Sequence, residues 1–240
     1  MKLDRLRFLL AVVLVNPYQV GDIAFQNRAN SDEAQKALST YREFYKKNPQ
    51  DFESGWRLSM ACYFVGLRLG KTSDEREALY EEGKAAGLAS IAQNPKCAPC
   101  HFWTAINMAL YGESVGAFKM LFSLADIRDH LQQSLQADPS YAFGGAYRLL
   151  GLIEHKLPGI LGGSNDEAKR YFEKAIQAAP EEPMNHLFLA ELYLDKFNDS
   201  KQALVEAKKG VRISVPDAHR LESLEAQTKL RNLVTTLELR

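Results

Sequence analysis

Apolar and small residues return along this chain at a helical spacing, and each return closes on a proline. Ala168, Phe172, Ala175 and Pro180 stand at offsets 0, 4, 7 and 12. Ala37, Tyr41, Phe44 and Pro49 repeat that spacing, with the aromatic and the small residue exchanged at the third position. Gly83, Gly87, Ser90 and Pro95, then Ile127, Leu131, Ser134 and Pro139, are looser copies. Offsets of 4 and 7 put three residues on one helical face, and the proline stops the helix about a turn later. Helix pairs that bury this face only against the next pair build a solenoid, so the pattern predicts an all-α stack of helical hairpins. Long alternating runs of β-branched residues and Asn-Gly turns are missing from the sequence, which argues against strands.

The offsets match the second helix of the tetratricopeptide unit, whose consensus has Ala, Phe, Ala and Pro at those places. The first helix is also similar: His186, Leu189, Ala190 and Tyr193 fill its aromatic, Leu-Gly and Tyr slots, and Trp56 with Leu58, then Leu150-Gly151, approximate it in earlier copies. The resemblance implies about five units, at 18–51, 52–97, 98–141, 142–182 and 183–216, followed by an amphipathic capping helix at 217–240. That last segment carries Leu221, Leu224, Leu230, Leu233, Val234 and Leu237 near one face; an oligomer contact is its second reading. Ser164-x-x-Glu167 and Asn30-x-x-Glu33 are the expected N-terminal caps of two second helices.

The units are longer than the ideal. The prolines at 49, 95, 139 and 180 are 46, 44 and 41 residues apart, against a unit of about 34. Because the second-helix pattern keeps its distance to the proline, the surplus is expected between the two helices, at roughly 66–80, 111–126 and 156–167. The second stretch is apolar, with Val115, Phe118, Met120, Leu121, Phe122 and Leu124; the third sets Leu157, Ile160 and Leu161 beside Pro158 and three glycines. These insertions either pack on their own repeats as extra half-helices or form an apolar lip or pore for a ligand or partner chain along one edge.

A narrower likeness lies in His101-Phe102-Trp103-Thr104-Ala105, in the run from Asp138 to Gly151 (DPSYAFGGAYRLLG), and in Pro158 followed by Gly162-Gly163-Ser164 and Ala168. These segments resemble the T component associated with TRAP transporters. That resemblance implies a periplasmic tetratricopeptide protein that forms oligomers and docks a periplasmic solute-binding protein. The eukaryotic regulators of microtubule dynamics share a similar helix pattern.

Composition narrows the classes. Of 240 residues, 46% are hydrophobic and 10% aromatic, ample for a core and against disorder. Thirty basic residues cancel thirty acidic ones, so no long-range field invites nucleic acid or an anionic bilayer. At the start, Lys2, Arg5 and Arg7 precede the apolar stretch 8–15, too short to span a bilayer. Residues 1–17 therefore read as a signal sequence or as a capping helix on the first repeat. With the resemblance, the expectation is export to the periplasm; a retained N-terminus would mean a cytoplasmic scaffold.

One motif is chemically pointed. Cys97-Ala98-Pro99-Cys100-His101 has the spacing of covalent haem c attachment, with two thiols on the vinyl groups and the histidine on iron. A short disulfide, free thiols, a redox pair and a metal site remain open for the same residues. Cys62 reads as core packing. Asp126 and His130 lie one turn apart, but a solvated pair outweighs a metal site there. Glu81-Glu82 and Glu181-Glu182 suit helix ends rather than acid–base work. The sequence holds no Gly-x-Ser-x-Gly, His-Glu-x-x-His or nucleophile–base pattern, so neither catalysis nor a cofactor is expected.

The reading is thus a non-enzymatic docking scaffold for a protein partner, with electron transfer on a c-type haem and general peptide binding as the alternatives. Binding is assigned to the first-helix surface, through Trp56, Phe64, Phe102, Trp103, Arg148, Leu187 and Glu191. The lip would add Phe118, Met120, Phe122 and Ile160, with aromatics and arginine as anchors.

Overall fold

The computed structural model describes residues 16–215 and 220–239, without the side chains of residues 117–119 and 220. Most of the N-terminal segment read above as a signal or cap lies outside these residues. The described chain is all helical. Five antiparallel pairs follow one another: α1 (Gln19–Gln26) with α2 (Ser31–Lys47), α3 (Phe52–Leu69) with α4 (Ser73–Gln93), α5 (Ala98–Val115) with α6 (Ala117–Ala137), α7 (Tyr141–Lys156) with α8 (Asn165–Ala178), and α9 (Pro183–Phe197) with α10 (Ser200–Val211). A last helix, α11 (Arg220–Glu238), packs on α9 and α10.

The proline periodicity explains where second helices stop. α2, α4, α6 and α8 end at Lys47, Gln93, Ala137 and Ala178, two residues before Pro49, Pro95, Pro139 and Pro180. A residue preceding proline is steered away from helical backbone, which fixes these ends. Starts are fixed by side-chain caps. Asn30 accepts from the amides of Asp32 and Glu33, Asp51 from Glu53 and Ser54, and Ser164 from Glu167. The complete reciprocal capping box lies at Thr72 and Glu75, opening α4.

The repeat residues form the core. Ala168, Phe172 and Ala175 are fully buried, as are Ala37 and Tyr41, and Ile127, Leu131 and Ser134 follow the same face. Gly151 lets α7 and α8 approach: a Cβ there would stand 2.6 Å from the Phe172 ring. First helices also touch one another in series, α3 on α5, α5 on α7 and α7 on α9, giving the stack an inner row.

Two of the three surplus stretches take the first of their two expected forms, added helix packed on their own repeats. Stretches 66–80 and 111–126 do not form loops: α3 and α4 are lengthened until only residues 70–72 join them, and Gly116 alone joins α5 to α6. A helix that already has a core face gains more by extending it than by leaving backbone unpaired. Met120 consequently packs over Gly112 and the core of its own pair. Stretch 156–167 does form a connection, with a 3-10 turn at Gly159–Leu161. Ile160 on it is 94% exposed, and Phe122 at the neighbouring hairpin tip is 81% exposed. The side chain of Phe118 is outside the described residues.

Candidate binding site

The inner row of first helices does not lie open. α11 bends the ends of the stack together: Leu221 packs against the core of the first two pairs, while Ala226 and Leu230 sit in the core of the last pair. Arg28, just past α1, donates from Nε and Nη2 to both carboxylate oxygens of Glu222. Arg68 on α3 does the same to Glu225, with Nη1 at 3.0 Å from Oε1. The row and α11 thereby border a half-open chamber of about 630 Å³.

Aromatic side chains dominate its wall. Phe25 and Phe64 meet edge to face at 5.7 Å, Tyr63 and Trp103 lie 5.4 Å apart, and Phe102 stands edge-on to both Trp103 and Tyr141. The Trp103 indole donates to the Tyr141 hydroxyl at 2.8 Å, so its polar edge is satisfied and its face is apolar. Burial pushes the Tyr63 and Tyr141 phenols up, keeping both neutral.

One end of the chamber is polar and strained. α7 opens with Ala142, Phe143 and Gly144 all in left-handed backbone, at φ of 50°, 58° and 71°. For the two non-glycine residues this costs about 1–2 kcal/mol each. Arg148 offsets it. Its Nη1 donates to the Phe143 carbonyl at 2.8 Å and to Asn185 Oδ1 at 2.6 Å, and its Nη2 donates to the Ala142 carbonyl at 3.1 Å. Asn185 is fully buried and donates in turn to the carbonyls of Phe143, Ala175 and Ala179. Gly144 fits because a Cβ would meet the Ala175 carbonyl at 2.9 Å. Glu182, the buried N-cap of α9, accepts from the Met184 amide and the Ser223 hydroxyl of α11. Desolvation lowers the Arg148 pKa, and Glu182 is its nearest carboxylate influence.

Four of the eleven residues assigned to binding, Phe64, Phe102, Trp103 and Arg148, line this chamber. The others do not. Trp56 donates to Glu53 at 3.2 Å and lies under the Arg57 guanidinium, Leu187 belongs to the core of the last pair, and Glu191 is half-buried, with its carboxyl raised by burial. Tyr63, Tyr141, Phe143 and Glu182 were missed. For Tyr141 and Phe143 the signal was present in the motif from Asp138 to Gly151, which contains the left-handed turn; Tyr63 and Glu182 carried none.

The cysteine motif takes one of its open readings. Cys97 and Cys100 are joined as a disulfide at the start of α5, and both are buried. His101 faces Pro95 O and His130 Nδ1, each at 3.0 Å. Asp126 is exposed, and among the described residues no group of three or more metal-ligating side chains is placed to hold an ion.

One half-buried and one buried histidine make stability depend on pH. Burial lowers His130 and His155 from 6.5, His130 further through the charge of His101. Neither ring nitrogen of His155 has a hydrogen-bond partner, and Asp195 Oδ2 is 3.4 Å from its Nε2. The folded state thus holds both neutral while the unfolded chain takes up protons near 6.5. Their contribution is present above that pH and lost as pH falls through the lowered folded values. The melting temperature should drop between roughly pH 7.5 and 5.5, and His155→Leu should flatten that drop. An unchanged slope in the variant refutes this role for His155.

Comparison with known proteins agrees with this architecture. A thermophilic TPR protein from Thermus thermophilus superposes with a TM-score of 0.66 over 92% of this chain and 98% of that one, at 20% identity. The fold is therefore a tetratricopeptide-like solenoid. Regulator of microtubule dynamics protein 1 from Mus musculus is 27% identical over 211 residues, 80% of this chain and 66% of that protein. The Bos taurus protein of the same name is 24% identical over 222 residues, 85% of this chain and 67% of its own. The chain spans about two thirds of the length of these relatives. They are mammalian and named for a eukaryotic polymer, and mammalian cells have no periplasm, which overturns the expected export to a periplasm. The family described as "Regulator of microtubule dynamics protein 1-3" matches residues 21–154, more than half of the sequence, and to that family this chain belongs.

Proposed function

We propose that the chain is a non-enzymatic binding module whose working site is the chamber, and that its ligand is an apolar molecule of small-molecule size. The carrying observation is the half-open, aromatic-walled volume of about 630 Å³, inside the roughly 300–1,000 Å³ range of small-ligand sites. An extended peptide along the inner row is a poorer fit, because α11 already crosses it. Haem is set aside: the sulfurs that would carry it are bonded to each other, and both His101 nitrogens are engaged. A solute-binding-protein partner has no support among the relatives.

The chain's two tryptophans make a direct test available. With Trp56→Phe, Trp103 in the chamber wall is the remaining reporter. N-phenyl-1-naphthylamine should quench its emission by energy transfer, with saturation at one equivalent. Met184→Trp, which fills the chamber, should weaken this binding by about tenfold or more through lost volume. Equal binding in the filled variant would disprove the site.

A second reading concerns protein partners, for which tetratricopeptide-like scaffolds are suited. Phe122, in the second turn of α6, and Ile160, in the α7–α8 connection, are both strongly exposed near the tips of successive hairpins. We assign partner docking to these tips. Phe122→Asp with Ile160→Asp should abolish partner recovery while leaving probe binding intact.

A further inference from the structure

The role of α11 goes beyond capping. Its two halves are held by different kinds of contact. The C-terminal half is fixed in the last pair: Leu230 is fully buried against Gly210, and Gln227 Nε2 donates to the carbonyls of Gly210, Val211 and Ile213, which end α10. The first two turns are instead held to α1 and α3 by the Arg28–Glu222 and Arg68–Glu225 pairs, to α9 by the Ser223 hydroxyl on Glu182, and by Leu221 alone on the first core. Those turns also form a wall of the chamber, through Glu222 and Ser223.

A helix anchored by apolar burial at one end and by part-exposed ion pairs at the other opens from the ion-paired end, because such pairs contribute little and are screened by salt. We propose that the first two turns of α11 are a clasp that swings away from α1 and α3 to widen the mouth of the half-open chamber for ligand, with the C-terminal half as its fixed hinge. The sequence separations support this: Arg28 and Glu222 lie 194 positions apart, Arg68 and Glu225 lie 157 apart, so each pair joins the two ends of the stack. This inference rests on the chamber being the ligand site.

The test uses the full chain in the Trp56→Phe background. Glu222→Arg with Glu225→Arg should raise the entry rate of N-phenyl-1-naphthylamine by about tenfold, as expected for loss of two part-buried pairs from the closed state. Adding Arg28→Glu and Arg68→Glu should return the rate toward the parent. In the parent, added salt should speed entry; in the double reversal it should not. Hydrogen exchange gives a readout independent of ligand. Amides of residues 221–225 should lose protection in the reversal, while those of α9, α10 and the C-terminal half of α11 keep theirs. An entry rate equal to the parent's, or exchange unchanged at 221–225, overturns the clasp. A parent that binds no probe defeats the ligand site instead, and exchange still decides whether α11 opens.

Discussion

Asn185→Leu is expected to lower the unfolding free energy by about 1–3 kcal/mol, the cost of leaving one buried polar group, the Arg148 guanidinium, short of a partner. The side chain is nearly isosteric, so volume is not the issue. Its amide donates to three carbonyls from three places: Phe143 in the left-handed turn, Ala175 within α8 and Ala179 at its end. Its oxygen also accepts from Arg148. Leucine would leave each carbonyl only its other donor, Arg148 for Phe143 and the backbone amides of Ala179 and Glu182 for Ala175 and Ala179, and would leave the Arg148 guanidinium one acceptor short. Urea unfolding followed by far-ultraviolet dichroism measures the effect. A loss below about 1 kcal/mol would mean that the turn is held by packing alone. Because Arg148 would no longer be positioned over Ala142 and Phe143, the chamber's polar end should loosen too, and probe binding should weaken in the still-folded protein.

Phe172→Ala should cost more, about 3–5 kcal/mol, by transfer and cavity terms together. Phe172 is fully buried, stacks on Phe188 at 5.6 Å between ring centres, and fills the space that Gly151 leaves on α7. The pairing makes a sharper test than the single change. Gly151→Leu alone should be destabilising, because its Cβ would start 2.6 Å from the ring. Combined with Phe172→Ala, the leucine enters the vacated space, so the double variant should be more stable than the sum of the two losses predicts. Strict additivity would show that the two helices do not meet through this pair.

Much of the fold was legible because it is local. Offsets of 4 and 7, a proline at 12 and a polar cap at the start suffice to place α8, and looser versions place α2, α4 and α6. Those signals act within one helix and need no knowledge of the rest of the chain. The form of the insertions was left open for a related reason. Counting residues gives a surplus but not its form, and an apolar surplus beside a helix is as ready to add turns as to form a loop. Residues 66–80 and 111–126 added turns; residues 156–167, rich in glycine and proline, could not.

The binding site divides in the same way. Phe64, Phe102, Trp103 and Arg148 were identifiable as first-helix residues pointing to one row. Leu187 obeys the same pattern yet is buried in its own pair. The difference comes from α11, which covers the last pair. Sequence by itself therefore determined helices, their ends and their repeat, since each depends on a few neighbouring side chains and backbone sterics. Only tertiary structure decided that the row closes into a chamber. Closure depends on how small rotations between successive pairs accumulate, and on Arg28 and Arg68 finding carboxylates 194 and 157 positions away, a long-range encounter that no local spacing encodes.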